Sequence, residues 1–179
     1  MRAVVALLAL VLSLGILAGC AGDDEPDADA TAAWVDSFCT ATVAWTTELQ
    51  TIADDLSDLQ NLSSAAVSDA AEQARETTDS FVSDVRGLGS PETEGGDQIE
   101  TSVQTLADEV EDEMNEIEDA VEDIEGLTGL VTAGREVAAS LSAMFVSLQR
   151  VFETFEEADP SGELETAFEE SDACDEIAN

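Results

Sequence analysis

Residues 34–59 read WVDSFCTATVAWTTELQTIADDLSDL, and the spacing of their apolar side chains decides the fold class. An apolar residue recurs every three or four positions, which places these side chains on one face of an amphipathic α-helix. The positions of this face are Trp34, Phe38, Ala41, Trp45, Leu49, Ile52, Leu56 and Leu59. Thr31 precedes the face and is a residue type that favours helix N-caps. The stretch therefore predicts a long first helix that begins near residue 31.

The same periodicity predicts two more long helices after the first. A second helix is expected to begin at Ser63 or Ser64, which are both good N-cap residues, and to end at the loop that starts with Gly87. Its core face is rich in alanine, so a neighbouring helix can approach it closely. A third helix is expected over about Asp97–Glu125.

The remaining sequence predicts one more long helix and a short one. Gly126 and Gly129 are expected to break or kink the chain before a fourth helix, which is the most apolar and should be the most buried. Pro160 should stop that helix, and a short fifth helix is expected from about Glu163. Strand signals are nearly absent, since aromatic residues make up 4% and no Asn-Gly or Asp-Gly turn occurs. We predict an all-α fold, an up-down-up-down four-helix bundle with a short fifth C-terminal helix that runs parallel to the first.

Acidic residues dominate the composition and exclude several functions. The chain has 179 residues, of which 42 are Asp or Glu and 5 are basic, for a net charge of −37. Such a charge repels phosphate backbones, so no nucleic-acid partner is expected. Histidine is absent, which removes the commonest general base and a ligand that ferritin-like di-iron sites require. We therefore expect no enzymatic activity, no cofactor and no metal site.

The first residues have the layout of an export signal. Arg2 precedes an apolar run, and the run ends at Leu17-Ala18-Gly19-Cys20. These four residues resemble the lipobox of bacterial lipoproteins. The resemblance implies that residues 1–19 are a lipoprotein signal peptide, that Cys20 is lipidated, and that the protein is anchored by lipid to the outer, extracytoplasmic face of the cell membrane. Residues 20–30 then form an acidic tether, and residues 31–179 form the helical bundle domain.

The region after the lipobox is loosely similar to small, alanine-rich, acidic lipoproteins of high-GC Gram-positive bacteria. Some of these share an early cysteine on a helix that carries tryptophan and another cysteine near the end. The similarity implies no particular activity.

The two other cysteines, Cys39 and Cys174, form an even pair in an exported and therefore oxidising setting. If the fifth helix runs parallel to the first, the rise per residue places both cysteines at similar heights. We predict a disulfide between them, and the alternative is two buried free thiols.

Carboxylates are densest between residues 108 and 125, where eleven of eighteen residues are Asp or Glu and none is basic. Divalent cations prefer oxygen ligands, but a specific Ca²⁺ site usually needs a loop that turns carboxylates inward, and no such motif occurs. We interpret the segment as a solvated helix face around which divalent cations accumulate diffusely.

Two functional roles fit these observations. The first is a non-enzymatic interaction, scaffold or envelope role with an unidentified protein partner. The alternative is a ligand-binding module with an apolar pocket in the bundle. A pocket of about a few hundred Å³ lined by Trp and Phe would favour the alternative, and a filled core would favour the first role. The aromatic residues that could line such a pocket are Trp34, Trp45, Phe81, Phe145 and Phe152.

Overall fold

The computed structural model describes residues 28–57, 63–122, 124, 126–175 and 177. Every regular element in these ranges is a helix, which confirms the all-α prediction. The helices are α1 (Ala28–Ser57), α2 (Ser64–Gly87), α3 (Gly96–Glu122), α4 (Gly126–Ala158), α5 (Glu163–Glu170) and α6 (Asp172–Asp175). The predicted signal peptide 1–19, the lipidation of Cys20 and most of the tether fall outside the described residues.

Contacts between the ends of the helices show that consecutive long helices run in opposite directions. The side chain of Trp34, near the start of α1, donates a hydrogen bond from Nε1 to the carbonyl oxygen of Gly89, which follows α2, at 2.9 Å. A Cβ atom on Gly95, just before α3, would lie 1.9 Å from the carbonyl oxygen of Ala158, the last residue of α4. The start of α1, the end of α2, the start of α3 and the end of α4 therefore meet at one end of the bundle. The helices run up-down-up-down.

We call this end, together with α5 and α6, the closed end, because the two short helices pack there against α1. The opposite end, which contains the end of α1 and the starts of α2 and α4, is the open end. Helix α3 packs closely against both α2 and α4, and α1 packs closely against α2. Within the described residues, α1 and α4 meet mainly through aromatic side chains at the closed end, such as Phe38 and Phe155, rather than through close backbone packing. A seam between α1 and α4 therefore runs along the bundle.

The observed helix starts correct two sequence predictions. The first helix begins at Ala28, inside the predicted tether, and Thr31 lies within it rather than at its N-cap. Thr31 is buried, and its hydroxyl donates to the carbonyl oxygen of Glu92, so the tertiary contact explains the threonine. Gly129 lies inside α4 without a left-handed φ, whereas Gly126 at the start of the helix has a left-handed φ of 66°. The N-cap of α2 is confirmed, because the Ser63 hydroxyl accepts a hydrogen bond from the Ala66 amide.

The predicted short fifth helix is divided into two. Ser171 has extended backbone angles, φ −86° and ψ 116°, which separate α5 from α6. Its hydroxyl donates to the Asp36 carboxylate on α1 at 3.1 Å, and its carbonyl oxygen accepts the Cys174 amide. The break therefore places both a hydrogen bond and the following cysteine against α1.

Among the described residues, helix α4 is not the most buried helix, contrary to our prediction. It carries the exposed large apolar side chains of the described residues, with exposed fractions of 56% for Val131, 40% for Phe145 and 50% for Val146.

Candidate ligand pocket beside the disulfide

A disulfide joins α1 to α6, as predicted. Cys39 and Cys174 are bonded, their Cα atoms are 5.1 Å apart, and 135 residues separate them in sequence. Three residues earlier in both segments, Asp36 accepts the hydrogen bond from Ser171. The two contacts advance by the same number of residues in the same direction, as expected for a C-terminal segment that runs parallel to α1.

Aromatic rings fill the closed end between α1, α4 and α5. Trp34 stacks on Phe38 with ring centroids 5.6 Å apart, and Phe38 meets the edge of Phe155 at 5.3 Å. Phe168 of α5 contacts both Phe152 and Phe155 of α4, at 5.9 and 5.8 Å. Such ring pairs stabilise the packing beyond their buried area by about 0.5–1.5 kcal/mol each. The cluster therefore attaches α5 to the long helices.

A cavity of about 620 Å³ lies beside this cluster and the disulfide. Its apolar lining combines three phenylalanine rings with two aliphatic side chains and both cysteines. These residues are Phe152, Phe155, Phe168, Leu164, Ile177, Cys39 and Cys174. We call this cavity the aromatic pocket. Its volume lies within the range of small-molecule sites, which is about 300–1,000 Å³.

The remaining lining residues of the aromatic pocket are all acidic. They are Glu156, Asp159, Glu165, Glu169 and Asp175, and no basic residue lines the pocket. One of them has a structural role: the Asp159 carboxylate accepts hydrogen bonds from the amides of Glu163 and Glu165 and so caps the start of α5. Glu156, Glu165 and Glu169 are exposed. The pocket thus presents carboxylates beside aromatic rings.

Of the five residues proposed from sequence for a pocket, only Phe152 lines the aromatic pocket. Trp34 is buried in the closed end. Trp45 stacks on Phe81 with centroids 4.4 Å apart, and its Nε1 donates to the Thr78 hydroxyl, so both rings belong to the core. Phe145 is exposed on α4, two turns before Phe152.

The sequence reasoning missed Phe155 and Phe168 as pocket residues. Phe155 lies on the core stripe of α4, so its spacing predicted burial and nothing more. Phe168 belongs to α5, whose position depends on the disulfide. The signal that could have identified both was the predicted disulfide, because it places α5 against α1 and next to the end of α4.

The arginines that form ion pairs among the described residues all bind α3. Arg75 and Arg86 reach it from α2, and Arg150 reaches it from α4. The Arg150 guanidinium donates two hydrogen bonds to the Glu109 carboxylate, at 2.8 and 3.0 Å. These cations therefore offset charge on the most acidic helix.

The strongest of these ion pairs joins Arg75 to Glu118. The guanidinium binds both carboxylate oxygens and also donates to the Asn115 side chain. The hydrogen bond from Arg75 holds the pKa of Glu118 below its ordinary value, and the same bond raises the pKa of Arg75. The Glu118 side chain is 43% exposed, so solvent screens the pair and its contribution to stability is small.

No known protein family, curated protein or solved structure matches the chain. Within the described ranges, no helix is both long enough and apolar enough to cross a membrane. In the same ranges, no group of three or more His, Cys, Asp or Glu side chains is placed to hold a metal ion.

Proposed function

We propose that this chain is an exported, lipid-anchored binding protein whose ligand is an organic cation with an apolar body. The export signal and the lipobox at Cys20 support the location. The aromatic pocket supports the binding role, and it is the single observation that carries the proposal.

The composition of the pocket favours a ligand that is both apolar and positively charged. Three phenylalanine rings provide apolar area, and their negative π faces attract cations, most strongly quaternary ammonium groups. The exposed carboxylates of Glu156, Glu165 and Glu169 around the rings add Coulombic attraction. An anionic ligand would be repelled by the carboxylates that line the pocket.

The proposed role is binding without catalysis. The sequence contains no histidine and no lysine to act as a general base or nucleophile. The Asp159 carboxylate is used to cap α5. A lipid-anchored protein of this kind would deliver, store or sense its ligand close to the membrane, because the tether that follows Cys20 is short.

A scaffold or envelope role through a protein partner is the second candidate. The observation that favours it is the exposure of Val131, Phe145 and Val146 on α4, since exposed apolar residues frequently mark interaction sites.

The binding proposal is tested by calorimetric titration of the oxidised protein with benzyltrimethylammonium. Neopentylbenzene, the neutral compound with a quaternary carbon in place of nitrogen, is the matched ligand. We expect the cation to bind roughly tenfold more tightly, because the cation–π attraction and the carboxylates act on the charge alone. Phe168→Leu should weaken binding of the cation by about fivefold.

The matched control variant is Glu113→Gln on α3, which removes one carboxylate from the densest acidic segment and leaves the pocket unchanged. It should not alter the affinity. Equal binding of the neutral compound, or an equal loss of affinity in the control, would contradict the proposal. The anchor is tested separately by mass spectrometry: the first residue of the mature protein should be Cys20 carrying a diacylglyceryl group, and an unmodified Cys20 thiol would refute it.

A further inference from the structure

The open end contains a second cavity, which differs in chemistry from the aromatic pocket. It has a volume of about 290 Å³, and every residue that lines it is aliphatic or glycine. All four long helices contribute to its walls. Representative lining residues are Leu49 and Ile52 of α1, Ala71 of α2, Ile117 of α3, and Gly134 and Leu141 of α4. We call this cavity the aliphatic cleft.

The cleft exists because small residues occupy positions that aromatic residues fill at the closed end. The sequence has no aromatic residue between Trp45 and Phe81, and none between Phe81 and Phe145. Instead, α2 presents alanines, including Ala71, and α4 presents Gly134. As predicted, neighbouring helices approach the alanines of α2 closely, and these neighbours are α1 and α3. Among the described residues, α2 and α4 do not pack closely, and the space between them stays open.

The α4 side of the cleft carries no net charge, in contrast to the chain as a whole. Residues 126–149 of α4 contain one arginine and one glutamate, Arg135 and Glu136, and therefore have no net charge, whereas the whole chain has −37. On the α1 side, Thr46 and Gln50 share the helix face of Ala53, which lines the cleft. An apolar molecule that approaches the cleft therefore meets Thr46 and Gln50 on α1 and a stretch of α4 without net charge.

We infer that the aliphatic cleft binds a single hydrocarbon chain of about ten carbons, such as part of a lipid acyl chain. The walls offer no side-chain hydrogen-bond partner, so an occupant with polar groups would leave them unsatisfied, at a cost of several kcal/mol for a buried amide. A peptide helix has a diameter of about 10–12 Å and is too wide for a cavity of this volume. A methylene chain has no polar groups to satisfy and is narrow enough for the cleft.

The inference is tested with 1-alkanols of increasing length and with 10-bromodecan-1-ol, on oxidised full-length protein purified without alkyl-chain detergent. Bromine quenches tryptophan fluorescence at short range, and Trp45 lies one turn before Leu49. We expect saturable quenching at one alkanol per protein, and this quenching should persist in Trp34→Phe. Affinity should rise about fourfold for each added methylene and level off near ten carbons.

The matched variants fill the cleft or add the same atoms elsewhere. Ala71→Leu combined with Gly134→Leu adds side chains on two walls of the cleft and should weaken decanol binding at least tenfold. Ala139→Leu combined with Gly87→Leu adds the same atoms outside the cleft and should leave binding unchanged. Should the filled double variant fail to fold, Gly134→Leu alone serves the same comparison, because nothing lies within 4 Å of the position of its Cβ.

Several results would overturn the inference. The first is unchanged decanol binding in the filled variant, and the second is an alkanol affinity that does not depend on chain length. The third is a dimer, seen by sedimentation, that Gly134→Leu dissociates, because such a dimer would show that a second copy of the chain occupies the cleft. Binding of benzyltrimethylammonium should be the same in the filled variant and the native protein. A failure of the hydrocarbon site is therefore distinguishable from a failure of the aromatic pocket.

Discussion

The two ends of this bundle are built by the same four helices but are packed in different ways. At the closed end, a disulfide and a cluster of aromatic rings hold α5 and α6 over the α1–α4 seam. At the open end, none of the described helices covers the same seam, and alanines, glycine and leucines are among the residues that line a cleft of about 290 Å³. The helix stripes are equally regular at both ends, so the size of the apolar side chains, and not their spacing, determines which end is filled.

Charge is also distributed unevenly between the helices. The most acidic helix, α3, is packed between two neighbours that supply arginines to it, whereas the first two-thirds of α4 carries almost no charge. This stretch of α4 without net charge lines the cleft at the open end, as expected if the cleft accepts an apolar molecule.

The largest effect on stability is expected from removing the disulfide at the closed end. Replacing Cys39 and Cys174 by serine opens a loop of 135 residues, which the loop-entropy model values at about 4–5 kcal/mol. We expect the midpoint of thermal unfolding to fall by roughly 10 °C. Hydrogen exchange should accelerate first in α5 and α6. If amide hydrogens of the variant exchanged fastest at the open end, the disulfide would not be what holds α5 and α6 against α1.

The next prediction compares a truncation at the closed end with a filling at the open end. Phe155→Ala removes a buried ring that contacts Trp34, Phe38 and Phe168, and should lower the free energy of unfolding by about 3–5 kcal/mol. Ala71→Leu places atoms in the cleft and should raise it by about 1 kcal/mol. Urea denaturation of both variants checks the signs. If Ala71→Leu destabilises the protein strongly, the open end is not underpacked.

Substitutions at two glycines, Gly95 at the closed end and Gly134 at the open end, test the same difference in packing. Gly95→Ala would place a Cβ atom 1.9 Å from the Ala158 carbonyl oxygen, so α4 must move away from the start of α3, at a cost of roughly 2–3 kcal/mol. Gly134→Ala meets nothing within 4 Å and should stabilise α4 by about 0.5–1 kcal/mol. Circular dichroism melting curves of the two variants should shift in opposite directions. Similar shifts would indicate that the closed end is less tightly packed than described.

Much of this fold could be predicted from the sequence, because helical periodicity is a local property. The stripe that includes Phe38 and Trp45 predicted α1, and the cysteine pair predicted the tie between α1 and the C-terminal segment. The unoccupied space could not be predicted. Whether Leu141 faces a neighbour or a cleft depends on how far apart α1 and α4 lie, and residue spacing along one helix carries no such information.

The residues of the aromatic pocket could be predicted only in part, for a related reason. Trp45 and Phe81 looked as suitable for a pocket as Phe152 did, yet they stack on each other in the core. Phe168 lines the pocket because α5 packs against α1 and its ring contacts Phe152 and Phe155 of α4. Contacts between helices therefore had to be known before all the pocket residues could be named.

The smallest effect is expected from the ion pair that attaches α3 to α2. Glu118→Gln removes the carboxylate that binds Arg75 and should lower the free energy of unfolding by about 0.5 kcal/mol at neutral pH. Glu116→Gln on the same helix should be neutral or slightly stabilising, because it removes a repulsive charge.

The contribution of this pair should depend on pH in a defined direction. The pKa of Glu118 is lowered from 4.5 in the folded protein by its hydrogen bond with Arg75, so the stabilisation is present above that value and is lost as the pH falls through the folded pKa. The difference in stability between the native protein and Glu118→Gln should therefore be largest at neutral pH and disappear in acid. A difference that is constant down to strongly acidic pH would show that the carboxylate charge is not its cause.

The central claim is that a cation binds at the closed end because of the aromatic pocket and not because of carboxylate density. Backbone amide chemical-shift mapping with benzyltrimethylammonium tests it most directly, because the densest carboxylates lie on α3, far from the pocket in sequence. The predicted result is a set of saturable shifts confined to residues 152–177 and the vicinity of Cys39. Shifts that follow the acidic residues along 108–122 instead, or that never saturate, would contradict the claim.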